Sequence, residues 1–309
     1  MKALITGAYG FIGSACMDLF NAETEEYASY DLRGGRGNMD VTDPLTLRKE
    51  AEDCSVIVHL AAMPGVTDCR DDPDQAVDTN IMGTQRVLEV ARDLGARVIF
   101  ASSAAAGTPA HIYGATKAAG EALCRAFITE DRLDVRILRL ANVYGPGSWE
   151  KGSCIATWCR ALKEKRAVHI HGSGLQRRDF VHVRDVARTI LWHSLNRAIA
   201  RPGDRDGDDH YRIYYVGTDK LVTVEDTATR VARLWSEKTG AAVQFHWDPV
   251  KITGGSATIP EGPEITGAGG LLYTGPFISL KEGLDETVQW FIDLDRQVET
   301  PNRWNSETE

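Results

Sequence analysis

Three glycines, Gly7, Gly10 and Gly13, have the spacing of a loop that cradles a pyrophosphate. They follow the apolar run Lys2–Thr6 directly and open a helical stretch, with Phe11 and Ile12 between the second and third. At a helix N-terminus, N–H groups without intrahelical acceptors and the positive end of the dipole face an anion. Side chains at Gly7 or Gly10 would obstruct its approach, and Gly13 would let the helix lie close on the strand. The spacing is GxxGxxG and not GxGxxG, so the loop gains its weight from its context. Asp31 lies 24 residues after Gly7, at the end of the next strand candidate. A carboxylate there accepts hydrogen bonds from both hydroxyls of an adenosine ribose and repels a 2′-phosphate. The expected cofactor is therefore NAD in preference to NADP; Arg33, two residues on, would ease that repulsion and counts among the cofactor-binding candidates.

Tyr113 and Lys117 stand four residues apart, on one helix face and about one turn from each other. Proton abstraction from an alcohol needs a base usable at neutral pH. Free tyrosine titrates near ~10, but an adjacent ammonium and a nicotinamide cation both favour the phenolate and should lower that value. The same spacing arises by chance in many helices. Ser102 and Ser103 end the strand candidate just before it, and a hydroxyl there could bind the same substrate oxygen.

Positioning these groups requires alternation of strands with helices. Strands are expected at Lys2–Thr6, Tyr27–Tyr30, Val56–Leu60, Arg97–Ala101 and Val135–Leu140, and helices near Phe11–Asn21, Leu45–Ala51, Gln75–Leu94 and Tyr113–Asp131. This is the pattern of a parallel sheet with helices on both faces. Val77, Ile81, Val87, Leu88 and Ala91 fall at helical spacing before a stop at Gly95. After Gly147 the rhythm changes to short apolar pieces, Arg201–Asp209 and Gly254–Gly275 read as surface loops, and a helix returns at Leu280–Leu294. A discontinuous boundary is expected, with residues 1–145 and about 179–217 forming a dinucleotide domain and 146–178 with about 218–309 a smaller α/β substrate domain.

The chain has 309 residues, with 43% hydrophobic and 26% charged positions and a formal charge of −9. That length suits about two domains, and the acidic balance works against general binding to nucleic acid or anionic membrane. Glycine interrupts the first apolar run, and nowhere do about 18 apolar residues follow one another. Neither secretion nor membrane insertion is expected. The six cysteines form no CxxC pair, which suggests reduced thiols, a cytoplasmic protein and no metal site.

The glycine loop, the YxxxK pair and the strand-end serine together resemble the extended short-chain dehydrogenase/reductase family, in particular its NAD-dependent nucleotide-sugar epimerases of the UDP-glucose 4-epimerase type. Further similar pieces, in order along the chain, are Asp40 with Val41, His59-Leu60-Ala61-Ala62, Cys69, Asn80, the run RLANVYGP over residues 139–146 and GSGLQRRDFVHVRD over 172–185. The resemblance implies a Rossmann-type doubly wound sheet with a smaller C-terminal substrate domain. It also implies that Ser103, Tyr113 and Lys117 are catalytic, that Asp40, Val41, Leu60, Ala61, Ala62 and Asn80 join the cofactor residues, and that Asn142 and Arg178 lie near the substrate's diphosphate. A homodimer through helices around Val77–Leu94 and Tyr113–Asp131 is implied too.

This chain departs from that pattern in three places. Nine residues separate Ser103 from Tyr113, a short connection for the family; residues 234–295 contain no arginine; and Asp31 is close to Asp40. Ala104-Ala105-Ala106 follows Ser103, so the Asp-Glu pair that related dehydratases use for elimination is missing. The expected activity is epimerisation of a nucleotide sugar by transient oxidation at C4. A nucleotide-sugar 4-ketoreductase or dehydrogenase, and a non-catalytic NAD-binding protein, are the alternatives.

Overall fold

The computed structural model describes residues 1–23, 26–32, 39–196, 213–248 and 275–297, with side chains as far as 294. Arg33, Arg201–Asp209 and all but the last residue of Gly254–Gly275 lie outside the described residues. The described residues fall into two units, one from within Met1–Ala141 and Arg184–Val216 with residues 275–276 and the other from Asn142–Val183 with residues 217–248 and 277–297.

The first unit begins with β1 (Lys2–Thr6), α1 (Phe11–Ala22), β2 (Glu26–Tyr30), α2 (Pro44–Ala51) and β3 (Val56–His59). Helices α3 (Val66–Asp71) and α4 (Pro73–Val77), a π-helical turn at Asp78–Met82 and α5 (Gly83–Leu94) lead into β4 (Arg97–Ser103). A 3₁₀ turn at Ala104–Ala106, α6 (Ile112–Asp131) and β5 (Val135–Leu140) follow. The six-stranded sheet runs β2-β1-β3-β4-β5-β9, every pair parallel, its last strand β9 being Ile213–Val216. This is the parallel α/β sheet expected. Strands buried on both faces read as apolar runs without alternation, as β3 (VIVH) does; β5 (VRILRL) is also buried at every position, its two arginines included.

The helix expected over Gln75–Leu94 is interrupted. Pro73 starts α4, and the wider turn at Asp78–Met82 separates α4 from α5. Val77 is consequently exposed, while Val87, Leu88 and Ala91 do face the core. The stop at Gly95 is as expected, with φ 66°.

Between α6 and the sheet lies a buried ion pair. Arg139 on β5 donates from Nε to Glu121 Oε1 (2.8 Å) and from Nη2 to Oε2 (2.7 Å). Ser102 Oγ also donates to Glu121 Oε1, at 2.6 Å. A bidentate guanidinium in low dielectric offsets its desolvation only with such complete bonding.

The second unit contains β6 (Asn142–Tyr144), α7 (Cys154–Lys163), β7 (Val168–His171), β8 (Arg177–His182), β10 (Leu221–Thr223), α9 (Val224–Thr239), β11 (Phe245–Asp248) and α10 (Leu280–Gln297). Helix α8 (Val183–Leu195) leads from β8 back to the first unit. The order β10-β8-β6 makes a three-stranded sheet, and β7 pairs with β11 in parallel. Its own core joins Trp158, Ile170, Phe180, Val231, Trp235 and Phe291; each such fully buried side chain contributes about 1.5–3 kcal/mol. All six cysteines are free thiols. No described helix is long and apolar enough to cross a membrane.

Glu121→Ala leaves the Arg139 guanidinium buried without its carboxylate and should cost about 3–5 kcal/mol of stability in urea unfolding. Removing the exposed Arg48–Asp93 pair (2.8 Å) should leave the midpoint nearly unchanged; equal losses from the two changes would contradict this account.

Candidate active site

The glycine loop closes the β1–α1 connection tightly. Gly7 has φ +67°, and a Cβ there would meet the Ala61 amide nitrogen at 2.7 Å. A Cβ on Gly13 would meet the Gly7 carbonyl oxygen at 2.2 Å. Gly10 is the N-cap of α1, and no side chain caps that terminus. Asp31, buried at the end of β2, accepts from the Tyr9 N–H at 2.8 Å, which fixes the carboxylate beside the loop. Close-packed backbone, an N-terminus without a side-chain cap and a carboxylate at the next strand end together suit the pyrophosphate and ribose of a dinucleotide. Asp40 sits across from this strand, its carbonyl accepting from Tyr30 Oη at 2.7 Å. Val41 packs against Gly83, where a Cβ would lie 2.6 Å from it.

Behind the loop runs a continuous chain of buried polar groups. Thr84 Oγ1 donates to the Asn80 carbonyl at 2.7 Å, so toward His59 Nε2, 3.1 Å away, it can only accept. Nε2 therefore carries the imidazole proton, and Nδ1 accepts from Thr6 Oγ1 at 2.9 Å. Thr6 Oγ1 accepts in turn from the Leu60 and Ala61 N–H groups, each at 3.2 Å. On the other side, Asn80 Oδ1 accepts from Met63 N–H (2.8 Å) and Asn80 Nδ2 donates to Thr116 Oγ1 (3.0 Å). Thr116 Oγ1 donates to the Tyr113 carbonyl at 2.9 Å. The π turn aims Asn80 inward, where it is 1% exposed. Burial, followed by the charge of Lys117, pushes the His59 imidazole down to about 3.

Helix α6 starts against the 3₁₀ turn. A Cβ on Gly114 would lie 2.8 Å from the Ala105 carbonyl oxygen, an approach that brings Tyr113 beside Ser103. Burial pushes the Tyr113 phenol up to about 12, and a hydrogen bond from Ser103 acts against it. Desolvation of the phenolate outweighs the Ser103 hydrogen bond, so without the nicotinamide cation the phenol stands above its ordinary value. Lys117 is buried, donates from Nζ to the Ala101 carbonyl at 2.8 Å and lies 5.1 Å from the centroid of the Phe100 ring. Burial lowers its ammonium to about 8. The sequence reading missed His111, which caps α6 by accepting from Gly114 N–H at 3.0 Å and stacks on Tyr113 with ring centroids 6.2 Å apart. Histidine is not among the favoured N-caps, so no simple signal marks it.

Asn142 and Arg178 belong to the second unit. Asn142 Nδ2 donates to the Asp179 carbonyl at 3.0 Å, joining β6 to β8. The Asp179 carboxylate accepts from Thr218 N–H (3.1 Å) and Asp219 N–H (3.0 Å). Arg178 is half-buried, which lowers its guanidinium, and the Cys154 thiol is within its electrostatic reach. Lys151, not singled out from sequence, is also within reach of Cys154, and burial lowers it to about 8.

Residues 3–205 match the model of the NAD dependent epimerase/dehydratase family. A UDP-glucuronate 4-epimerase of Thermodesulfobacterium geofontis is 29% identical over 271 residues, 82% of this chain and 77% of the relative. A UDP-N-acetyl-alpha-D-glucosaminuronate decarboxylase of Bacillus cytotoxicus is 25% identical, covering 95% and 98%. Among solved structures, MoeE5 in complex with UDP-glucuronic acid and NAD superposes with a TM-score of 0.76 at 28% identity, covering 95% of this chain and all of that one.

In the folded chain His59 stays neutral down to about pH 3, whereas an unfolded chain takes up this proton near 6.5. Stability from this group is therefore complete above pH 6.5 and is lost as pH falls toward 3, with a slope of at most about 1.4 kcal/mol per pH unit. Urea unfolding at pH 7 and pH 5 should show a smaller decline for His59→Gln than for the parent protein; equal declines would mean that His59 titrates normally.

Proposed function

The chain belongs to the NAD dependent epimerase/dehydratase family, and from that membership we propose that it is a nucleotide-sugar epimerase inverting C4, with Tyr113 as the base. The observation that carries this reading is the side-chain hydrogen bond between Ser103 and Tyr113, with Lys117 buried one helical turn further along α6. NAD, the family's cofactor, supplies when bound a hydride acceptor and donor at C4 and a positive charge that favours the phenolate.

In this reading Gly7, Gly10, Phe11, Ile12 and Gly13 hold the pyrophosphate, Asp31 the adenosine ribose, and Asp40 with Val41 the adenine side. Leu60, Ala61, Ala62 and Asn80 line the cofactor from the β3 end. Tyr113 takes the proton of the sugar C4 hydroxyl, and Ser103 donates a hydrogen bond to the same oxygen. Tyr113 accepts that proton as phenolate, a form that the positive charge of bound NAD would favour once the phenol's own proton has passed to solvent. Lys117 spends one proton on Ala101 and can offer the others to the nicotinamide ribose. Arg178 and Lys151, both within electrostatic reach of Cys154, are the cations this reading assigns to the substrate diphosphate. The 4-keto sugar must then turn over so that its other face is reduced, with Tyr113 returning the proton to the oxygen.

The second reading is a uronate decarboxylase, favoured by the similarity to the Bacillus cytotoxicus relative over nearly the whole of both chains. Oxidation at C4 of a uronic acid creates a β-keto acid, so the same residues could begin that reaction. Release of carbon dioxide from a UDP-uronic acid, with no C4 epimer recovered by chromatography, would select it.

Tyr113→Phe removes the proton acceptor but little surface, so turnover should fall about 10²-fold or more while NAD stays bound. Near-normal sugar conversion by that variant would overturn the mechanism. Asp31→Ala should weaken NAD much more than NADP in fluorescence titrations, because it removes the ribose acceptor and the repulsion of a 2′-phosphate together; equal weakening would count against the ribose role.

A further inference from the structure

The exposed face of the β7–β11 pair gathers three imidazoles around one carboxylate. In the parallel register His169 lies opposite His246, and His171 opposite Asp248. Side chains alternate along a strand; Val168 and Ile170 point into the core of the second unit, and His169 and His171 therefore share the outer face. Asp248 Oδ2 is 3.0 Å from His169 Nδ1 and 3.2 Å from His171 Nδ1. Asp248 Oδ1 is 3.4 Å from His246 Nε2. One potential ligand atom each from His169, His246 and Asp248 lie within 4.8 Å of one another.

This arrangement has the chemistry and the spacing of a transition-metal site. A tetrahedral zinc with metal–nitrogen bonds of about 2.0–2.1 Å holds its donor atoms roughly 3.4 Å apart. The carboxylate-to-imidazole separations are already close to that value, so small side-chain rotations suffice. Imidazole-rich donors suit zinc, copper, nickel and cobalt, whereas magnesium and calcium prefer oxygen sets. The backbone beneath is fixed: His169 O accepts from Trp158 Nε1 at 2.9 Å, and Gly172 N–H donates to Asp248 O at 2.9 Å. Rigid donors lose little freedom on binding an ion.

We propose that His169, His246 and Asp248 form a surface site for one divalent transition metal, zinc in the first instance, which clips β11 to β7, with His171 beside the carboxylate. The site lies in the second unit and uses none of the residues assigned to sugar chemistry, so it stands or falls independently of the epimerase reading. It departs from the expectation of no metal site, which rested on cysteine spacing.

The test is calorimetric titration of the tag-free, chelator-treated full chain with zinc chloride, with magnesium chloride as the control. One zinc per chain should bind, magnesium should not, and zinc should raise the thermal midpoint. In the His169→Ala/His246→Ala double variant, zinc affinity should fall at least about 10- to 100-fold, the loss that even changes outside the ligand shell produce. Asp248→Asn should also weaken zinc, and Cys154→Ser should bind it as the parent does. These positions are exposed or at a strand end, and circular dichroism checks that each variant is folded. Absence of stoichiometric uptake by the parent chain, undiminished affinity in the folded double variant, or loss of binding in Cys154→Ser would each overturn the proposal.

Discussion

A neutral, buried histidine ties the first unit together. His59 receives a hydrogen bond from Thr6 at the end of β1 and gives one to Thr84 on α5, and the chain continues through Asn80 and Thr116 to the carbonyl of Tyr113. Each hydroxyl and imidazole proton in this series has one acceptor, so the imidazole tautomer and the three threonine hydroxyls are fixed together. The glycine loop at one end and the phenol at the other are thereby set in one frame. A protonated His59 would place a second positive charge in the low dielectric that already holds Lys117, and burial keeps that state out of reach near neutral pH.

Burial also governs the two groups proposed to react, and it acts against their charged forms. Desolvation raises the Tyr113 phenol and lowers the Lys117 ammonium. A phenol held up to about 12 is a poor base until another positive charge adjoins it. The same low dielectric makes any such charge more effective than it would be in water. In the proposed epimerase the phenol thus becomes a base only when the oxidised cofactor is present, which protects the resting site from futile proton loss. Glu121, fully buried one turn after Lys117, is occupied by Arg139 and Ser102, so this carboxylate does not compete for the phenolic proton.

Much of this frame was legible in the sequence. The strands Lys2–Thr6 and Val135–Leu140 coincide with β1 and β5, the branched apolar residues of each outweighing the buried Arg136 and Arg139 of the second. The glycine loop, Asp31 and the YxxxK pair are local features, and each lies where its spacing places it. The π turn at Asp78–Met82 was not legible, because Val77 and Ile81 keep helical spacing while the backbone widens between them. The depth of burial that raises the Tyr113 phenol was not visible in the sequence, which shows only the spacing to Lys117. His111 escaped for want of a capping preference. The histidine cluster escaped for a different reason: His169 and His246 are 77 residues apart, and only the β7–β11 register brings them face to face.

The central claim is that one carbinol carbon gives up and takes back the same hydride. The direct measurement uses the nucleotide sugar the chain turns over, deuterated at C4, with mass spectrometry and proton NMR of the product. The account predicts an inverted C4 that still carries deuterium and no net gain of NADH. Product without deuterium at C4, or NADH formed in proportion to product, would contradict it.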